Sequence, residues 1–222
     1  MAILNFLTAA DEELQREFEQ LATQVQFPRG HVLFYAGQPV RSVLLITSGY
    51  VTVSIPSEVG MDVLLSFRGP GEVLGIGSAL TGELQSNTVK AISEVEGLDV
   101  PADAFLRFVQ ERHLEANIIR HLMERMREAD QERTRLAHQS VGERFANLLV
   151  DLAAMTGRQG DSGVEIPLAL SKAELASRIG ASREAVNLQL RKLRDAGLIL
   201  TGRRTMIVRD VEELRKLVTE AR

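Results

Sequence analysis

The sequence predicts an α+β chain in three consecutive parts: an N-terminal β-roll of the jelly-roll type, a long helix, and a C-terminal winged helix–turn–helix. Three observations predict this order. Short β-rich runs fill residues 27–100, dense charge almost free of Gly and Pro follows to residue 138, and two capped helices flank Gly180. The expected domains are the β-roll with its N-terminal helix at 1–110, the long helix at 111–138 and the winged helix–turn–helix at 139–222.

The β-roll is predicted from short runs at even spacing. A polar helix at 11–25 precedes it, because Leu14, Phe18, Leu21 and Val25 recur at helical spacing. Turns rich in Gly and Pro then separate runs rich in β-branched and aromatic residues, which is typical of small barrels and jelly rolls. The expected strands lie at 31–35, 42–46, 50–55, 62–67 and 88–92.

The long helix carries one apolar stripe with the three-four spacing of a coiled-coil seam, which Arg133 interrupts. The members of this stripe, our candidate dimerisation residues, are Ile119, Leu122, Met126, Ala129 and Leu136. A long helix with charged remaining faces usually buries such a stripe against a second copy, so we expect a parallel homodimer. The alternative is that the stripe packs on the helix's own domain.

The third domain opens with a helix that begins at Ser171, which has the pattern of a capping box with Glu174. Ile179 ends the buried face of that helix, and Gly180 suits the left-handed backbone of a tight turn. Ser182 is a good N-cap for a second helix. A helix, a glycine turn and a helix form a unit that places its second helix in the major groove of DNA.

The second helix separates a buried stripe from a polar face. Val186, Leu190 and Leu193 form the stripe. The other face holds DNA-binding groups, because Arg can take guanine with two hydrogen bonds, Glu can accept from cytosine, and Ser can hold a phosphate. The candidate DNA-binding residues here are Ser171, Ser182, Arg183, Glu184, Asn187, Leu188 and Arg191. The alternative is an ordinary helical hairpin with a solvated polar face.

Two apolar runs after Gly197 flank residues 202–204 and predict a hairpin, a wing with Arg203 and Arg204 at its tip. These two arginines complete the candidate DNA-binding set; a solvated turn is the alternative. Residues 140–222 carry 14 Lys and Arg against 11 Asp and Glu, a net charge of +3, whereas the preceding residues carry −7. The basic part therefore coincides with the predicted double-stranded DNA-binding domain.

Composition excludes several classes of protein. With no Cys, the chain forms no disulfide and no cysteine-ligated zinc or iron–sulfur site, so no such cofactor is expected. No apolar stretch of membrane-spanning length and no secretory signal are evident, and we expect a cytoplasmic protein without a membrane partner. The four His residues lack metal-ligand spacing. No nucleophile–base constellation is evident, so we expect no catalytic or metal site and reject an enzyme.

With this order of parts, the chain resembles the Crp/Fnr family of bacterial transcription regulators. The segments that carry the resemblance lie at 28–37, 46–53, 71–75, 144–148, 170–176 and 180–186, of which the last, GASREAV, is the most specific. The resemblance covers nearly the whole chain. It implies a cyclic-nucleotide-binding-like β-roll that acts as sensor, a homodimer on a roughly palindromic DNA site, and contact with RNA polymerase at the promoter.

The ligand site departs from that of the cyclic-AMP-responsive members. The resemblance places Ile76 where those members have a glutamate for the ribose hydroxyl, and Gln85 where they have an arginine for the phosphate. Isoleucine cannot accept a hydrogen bond, and glutamine cannot neutralise a phosphate. Ala129 and Asp130 stand where the long helix would read adenine, and an inward aspartate would oppose an anion. We therefore expect no control by cyclic AMP. The candidate residues for any other ligand are Gly75, Gln85 and Ser86.

The residue at one base-reading position also differs from the family pattern. Leu188 replaces the arginine of members that read the common half-site, and leucine can contact a thymine methyl but cannot bond guanine. We interpret the chain as a dimeric activator whose β-roll binds either nothing, which we favour, or a ligand other than cyclic AMP. A module that only binds other proteins is the remaining alternative, against which the wing and the basic C-terminal part argue.

Overall fold

The computed structural model describes residues 12–57, 62–167, 170–202 and 205–219, with side chains as far as Leu217. The chain divides into two compact units, Met1–Glu128 and Ala129–Arg222. The boundary lies within one long helix, Glu115–His138. Each unit has its own buried core and is described separately.

The first unit is a roll of two four-stranded antiparallel sheets with helices before and after it. Its elements in chain order are α1 (Glu12–Gln20), β1 (Thr23–Phe27), β2 (Val32–Phe34), β3 (Ser42–Ser48), β4 (Val51–Ile55), β5 (Val63–Arg68), β6 (Val73–Leu74), α2 (Ile76–Thr81), β7 (Thr88–Ala91), β8 (Val95–Pro101), α3 (Ala102–Glu111) and α4 (Glu115–His138). The strand orders are β1-β8-β3-β6 and β2-β7-β4-β5.

Strand β3 separates two apolar clusters of the first unit, because alternate residues of a strand point to opposite faces. Val43 and Leu45 belong to the cluster formed with the helices, whose large members include Phe105. Leu44 and Ile46 belong to the cluster inside the roll. All four residues are essentially inaccessible to solvent. Strand β3 therefore contributes both to the core beneath the helices and to the core inside the roll.

The N-terminal helix is shorter than the sequence predicts. Helix α1 ends at Gln20, and Val25, which we expected on the helix, pairs with Gly97 in the β1–β8 ladder. Its helical spacing from Phe18 is coincidental, since the strand pairing of Thr23–Phe27 is set by a partner strand far along the chain. The prediction of a helix through Val25 is wrong.

The charged sequence after Pro101 forms two helices rather than one. Helix α3 ends at Glu111 and α4 begins at Glu115, four residues later than the start that we expected. His113 in the break has a positive φ of 52°, and Leu114 between the helices is buried. The break turns the chain so that Ile118 of α4 joins the same buried cluster as α3.

The second unit contains α5 (Val141–Thr156), β9 (Arg158–Gly160), β10 (Gly163–Ile166), α6 (Lys172–Arg178), α7 (Arg183–Asp195), β11 (Ile199–Thr201), β12 (Met206–Val208) and α8 (Val211–Thr219). Its sheet has the order β11-β12-β10-β9. Phe145, Leu149, Val186, Val208 and Leu214 are fully buried at its centre.

The predicted fold class is confirmed. A β-roll, a long helix and a C-terminal helix–turn–helix follow each other, and the strand pair β11–β12 after α7 forms the body of the wing. Among the described residues, no helix has both the length and the apolar character needed to cross a membrane.

Candidate nucleic-acid interface and β-roll cavity

Both helices of the helix–turn–helix begin at capped serines. The Ser171 hydroxyl accepts from the backbone N–H of Glu174 at 3.2 Å, and the Glu174 carboxylate accepts from the N–H of Ser171 at 2.7 Å, which completes the predicted capping box. The Ser182 hydroxyl accepts from the N–H of Ala185 at 3.1 Å. These caps fix where α6 and α7 start, and so fix which residues of α7 lie on its exposed face.

The turn between the two helices depends on Gly180. Its φ is +58°, and a Cβ at this position would lie 3.0 Å from Cδ2 of Leu136, so a larger residue would be both strained and crowded. Arg144 of α5 holds the same turn. Its guanidinium donates to the carbonyls of Ile179 at 2.7 Å and Gly180 at 3.3 Å, and to the Gln139 carbonyl at 2.5 Å.

Ion pairs join the C-terminal part of α4 to α6 of the helix–turn–helix and to α5. Arg178 of α6 donates to Glu132 of α4, with 14% and 20% of the two side chains exposed. Arg135 of α4 lies 3.6 Å from Glu132 and donates to Asp151 of α5 at 3.0 Å. These contacts are invisible in the sequence, because they join residues that lie up to 46 positions apart.

The candidate DNA-binding residues of α7 form one exposed stripe. Arg183, Glu184 and Arg191 are exposed, Asn187 is half-buried, and Leu188 is 49% exposed. The opposite stripe is turned inward: Val186 and Leu193 are buried and Leu190 is half-buried. A groove-binding helix needs this division between a packed face and a presented face.

Glu184 is held in its ionised form. Its own backbone N–H and the Ser182 hydroxyl donate to the carboxylate and lower the pKa of Glu184, with a smaller contribution from the charge of Arg183. An ionised carboxylate at the start of α7 is an acceptor only, which is the form needed to accept a hydrogen bond from a cytosine amino group.

A basic recess lies beside the exposed stripe. It has a volume of about 380 Å³ and is lined by Lys172, Asn187, Leu190, Arg191, Arg194 and Thr201. Lys172, Arg194 and Thr201 are absent from our sequence-based set. The spacing of Arg191 and Arg194 on one helix was the available signal for Arg194. Arg203 and Arg204, which we expected at the tip of the wing, lie outside the described residues.

The apolar stripe of α4 is exposed in the single chain. Ile119 and Met126 are 60% and 59% exposed, and Leu136 and the previously unassigned Met123 are also exposed. Leu122 differs from the other predicted members, because it is half-buried and packs against the helix-side cluster of the roll. Ala129 is exposed.

The first unit contains a cavity of about 360 Å³ between the roll and α4. Gly75, Gln85 and Ser86, the candidate ligand residues, all line it. Gly75 precedes α2 with a φ of +84°, which a side chain would rarely adopt. Gln85 is buried, and its side-chain oxygen accepts from the Ser78 hydroxyl at 3.0 Å. The side-chain oxygen of Gln85 is therefore already hydrogen-bonded within the cavity wall.

The cavity wall also contains charges that the sequence did not reveal. Arg68, Glu72, Arg125 and Glu128 form a charge ring of alternating sign, and the first three line the cavity. His121 of α4 is buried nearby; desolvation and the charge of Arg125 lower the pKa of His121. Asp130, which the resemblance directs toward a ligand, is 66% exposed and pairs with Arg133 on its own helix.

Within the described ranges, no cluster of three or more His, Asp or Glu side chains is arranged to hold a metal ion.

Two stretches of the chain match known protein families. Residues 24–112 match the cyclic nucleotide-binding domain, and residues 143–217 match the Crp-like helix-turn-helix domain. The first match runs from β1 to the residue after α3, and the second from the first turn of α5 into α8. The first match therefore covers the β-roll side of the cavity, and the second covers the candidate DNA-binding face.

Relatives and a solved structure align along most of the chain. The CRP-like cAMP-activated global transcriptional regulator of Mycobacterium tuberculosis is 29% identical over 191 residues, which are 86% of this chain and 85% of that protein. The cyclic AMP receptor protein of Thermus thermophilus is 30% identical over 192 residues, 86% of each chain. The crystal structure of a CRP/FNR-family transcriptional regulator, also from Thermus thermophilus, has a TM-score of 0.76 at 24% identity, covering 89% of this chain and 98% of that chain; it supports the fold.

Proposed function

The chain belongs to the Crp/Fnr family of DNA-binding transcription regulators, and we propose that it works as a homodimer on a roughly palindromic promoter site without control by cyclic AMP. The family is not enzymatic. The single observation that carries the proposal is the exposed stripe of α7, where Arg183, Glu184 and Arg191 are presented together by a capped and buried helix–turn–helix. Activation through contact with RNA polymerase is part of the proposal and rests on family membership.

We assign different roles to the residues of the interface. Arg183 and Glu184 stand at the first turn of α7, where a helix in the major groove contacts base edges, so they read bases. Arg191, Lys172 and Arg194 line the basic recess and take phosphates, which give affinity without sequence information. Ser171 and Ser182 act as N-caps of α6 and α7 and support the geometry of both helices.

Leu188 determines how this site differs from the common family half-site. Its side chain is exposed on the same face as Arg183 and Glu184 and carries no hydrogen-bonding group. An apolar side chain in the groove favours the C5-methyl group of thymine. We therefore propose that one base pair of each half-site changes from a guanine contact to a thymine contact.

Dimerisation is proposed through α4. Ile119, Met123 and Met126 form a continuous exposed apolar stripe over two turns of a helix whose remaining exposed residues are mostly charged. Two copies that bury this stripe would present two α7 helices to one DNA site, as half-site recognition requires. Leu136 continues the stripe beyond Arg133.

We propose that the β-roll does not fit cyclic AMP, although both relatives are named for that nucleotide. Ile76 is buried and has no acceptor for a ribose hydroxyl, and Gln85 is neutral and bonded to Ser78. We propose that the cavity gives no response to cyclic AMP. The second candidate is control by another small ligand, which the presence of a 360 Å³ cavity favours.

Selection of DNA by the purified protein tests the proposal. We expect enrichment of one palindromic motif without any additive, the same motif with cyclic AMP, and a thymine preference at the position read by Leu188. Arg183→Ala should weaken binding to the selected site by roughly 1–3 kcal/mol and relax one base position. An equal loss on random DNA would reassign Arg183 to a phosphate, and strict dependence on cyclic AMP would overturn the ligand argument.

Sedimentation tests the dimer. We expect Met126→Asp to give monomers with affinity for the full site lower by about 10²–10⁴-fold, because the two half-sites are no longer bound together. Leu21→Asp replaces another exposed apolar residue, 38% accessible, in the same unit and should leave the dimer intact. A stable Met126→Asp dimer would exclude α4 as the interface.

A further inference from the structure

We propose that Glu72 acts as an internal counter-ion that holds α4 against the β-roll without a ligand and closes the cavity to anions. The inference rests on the proposed function, because it explains how a regulator could bind DNA without cyclic AMP. The contacts from which it is argued all lie in the first unit, which contains the roll, the cavity and the first half of α4.

The Glu72 backbone is fixed to the centre of the roll. The N–H of Ile46 donates to the Glu72 carbonyl at 2.9 Å, and the N–H of Gly71 donates to the Ile46 carbonyl at 2.8 Å. Ile46 itself is completely buried in β3. The Glu72 side chain therefore extends from a backbone that is fixed by hydrogen bonds. Unlike a side chain in a long loop, it has little freedom to move away from Arg68 and Arg125.

The charge ring connects this fixed carboxylate to α4. Arg125 donates to Glu72 with one nitrogen and to Glu128 with another, the second at 2.8 Å. Arg68 of β5 lies 4.0 Å from Glu72 and 3.8 Å from Glu128. Two members of the ring belong to the roll and two to α4. Two of the four ion pairs, Arg68 with Glu128 and Arg125 with Glu72, join the roll to α4. The other two lie within the β5–β6 segment and within α4.

The ring is shielded from water where it faces the cavity. The exposed fractions of the Arg68, Glu72 and Arg125 side chains are 20%, 15% and 22%. Attraction between charges is stronger and less screened by salt in such surroundings than at an open surface. Removing one charge from a shielded pair leaves its partner uncompensated, which is costly. The ring therefore contributes directly to how firmly α4 is held.

The same ring makes the cavity a poor site for an anion. The ionisable residues that line it are Arg68, Glu72, Glu83, His121 and Arg125. With His121 neutral, the cations that line the cavity are Arg68 and Arg125, and both already pair with Glu72. An entering phosphate or carboxylate would have to displace Glu72 and then lie beside it, and like charges at close range disfavour each other.

Replacement of Glu72 should open the cavity to anions. Glu72→Gln removes one negative charge, so Arg68 and Arg125 retain only Glu128 as their carboxylate partner in the ring. We expect DNA binding without additive to weaken about tenfold, within the usual range of coupling between sites. Inorganic phosphate or cyclic AMP at constant ionic strength should restore it, because either anion supplies the missing charge.

Glu83→Gln is the matched control, because Glu83 lines the same cavity and is exposed outside the ring. This variant should bind DNA with the affinity of the wild type, and neither phosphate nor cyclic AMP should change that affinity. Fluorescence anisotropy with the selected duplex measures the affinities, and circular dichroism verifies folding. If Glu72→Gln does not fold, Glu72→Asp keeps the charge and should bind DNA without need of an anion.

The outcomes separate the two proposals. Wild-type affinity in Glu72→Gln, a loss that neither anion restores, or anion dependence of Glu72→Asp would overturn the role of Glu72. A wild-type protein that selects no DNA under any condition would instead overturn the proposed function. A wild-type response to cyclic AMP would show that the closed cavity is wrong while DNA binding stands.

Discussion

The β-roll cavity and the exposed face of α7 are both rich in arginine, but their arginines stand in opposite surroundings. Arg68 and Arg125 are about four-fifths covered and belong to the charge ring. Arg183 and Arg191 are exposed, and about half of the Arg194 side chain is accessible. A shielded guanidinium compensates carboxylates of its own fold, and its removal leaves them unpaired, whereas an exposed guanidinium lies where phosphates and bases can reach it.

This difference indicates that the placement of cations, more than their number, distinguishes the two units of the chain. The first unit carries cations to hold its own helix, and its remaining acidic residues would repel DNA. The second unit presents cations on one side of a packed helix. The contrast can be tested by removing one arginine from each region and measuring stability and DNA affinity separately.

Arg125→Ala should have the largest effect on stability. It leaves Glu72 shielded from water, with Arg68 4.0 Å away as its remaining cation in the ring. Breaking a buried pair by removing one partner costs roughly 3–5 kcal/mol, and the partial exposure of this one places it at the lower end, about 3 kcal/mol. Urea unfolding followed by circular dichroism measures the change.

Arg127→Ala is the control for that measurement, because Arg127 is exposed on the same helix. Its free energy of unfolding should stay within about 0.5 kcal/mol of the wild type. Equal losses in the two variants would mean that the ring contributes no more than an ordinary surface position.

Arg194→Ala should show the reverse pattern, with a smaller effect that falls on DNA binding. Its stability should stay within about 0.5 kcal/mol of the wild type. Specific and random duplexes should lose affinity together, and the slope of log K against log salt should fall by about 1, as expected for one lost phosphate contact. Lys192→Ala, on the same helix but outside the basic recess, should leave the slope unchanged. A loss confined to the specific duplex would make Arg194 a base reader.

Features set by neighbouring residues could be predicted from the sequence. The capping box of Ser171 and Glu174, the N-cap at Ser182 and the turn at Gly180 depend on residues at most three positions apart, and all three are found. The roll, the long helix and the helix–turn–helix were predicted for the same reason, since their spacing patterns are local.

Features set by distant partners could not be predicted. Glu72 and Arg125 are 53 residues apart, and Glu132 and Arg178 are 46 residues apart. The local sequence around these residues therefore does not predict either ion pair. Val25 shows the same limit, because its strand is defined by β8 rather than by its own neighbours. The family resemblance predicts that the cavity lacks the charged residues that hold cyclic AMP, whereas the charges that do line the cavity became visible only in the fold.

The smallest expected effect concerns pH and the buried His121. Desolvation lowers the pKa of His121, as do the charges of Arg125 and, less strongly, Arg68, while Glu72 and Glu124 act in the opposite direction. The unfolded chain therefore binds a proton more readily than the folded one, so stability should decline as pH falls through about 6.5, the ordinary value for histidine. Replacement by a residue that does not titrate, His121→Asn, should flatten this decline in urea unfolding between neutral and mildly acidic pH. The comparison uses the pH dependence of each protein, so any loss of packing in the variant cancels. Parallel curves of unfolding free energy against pH for the two proteins would mean that protonation of His121 does not oppose folding.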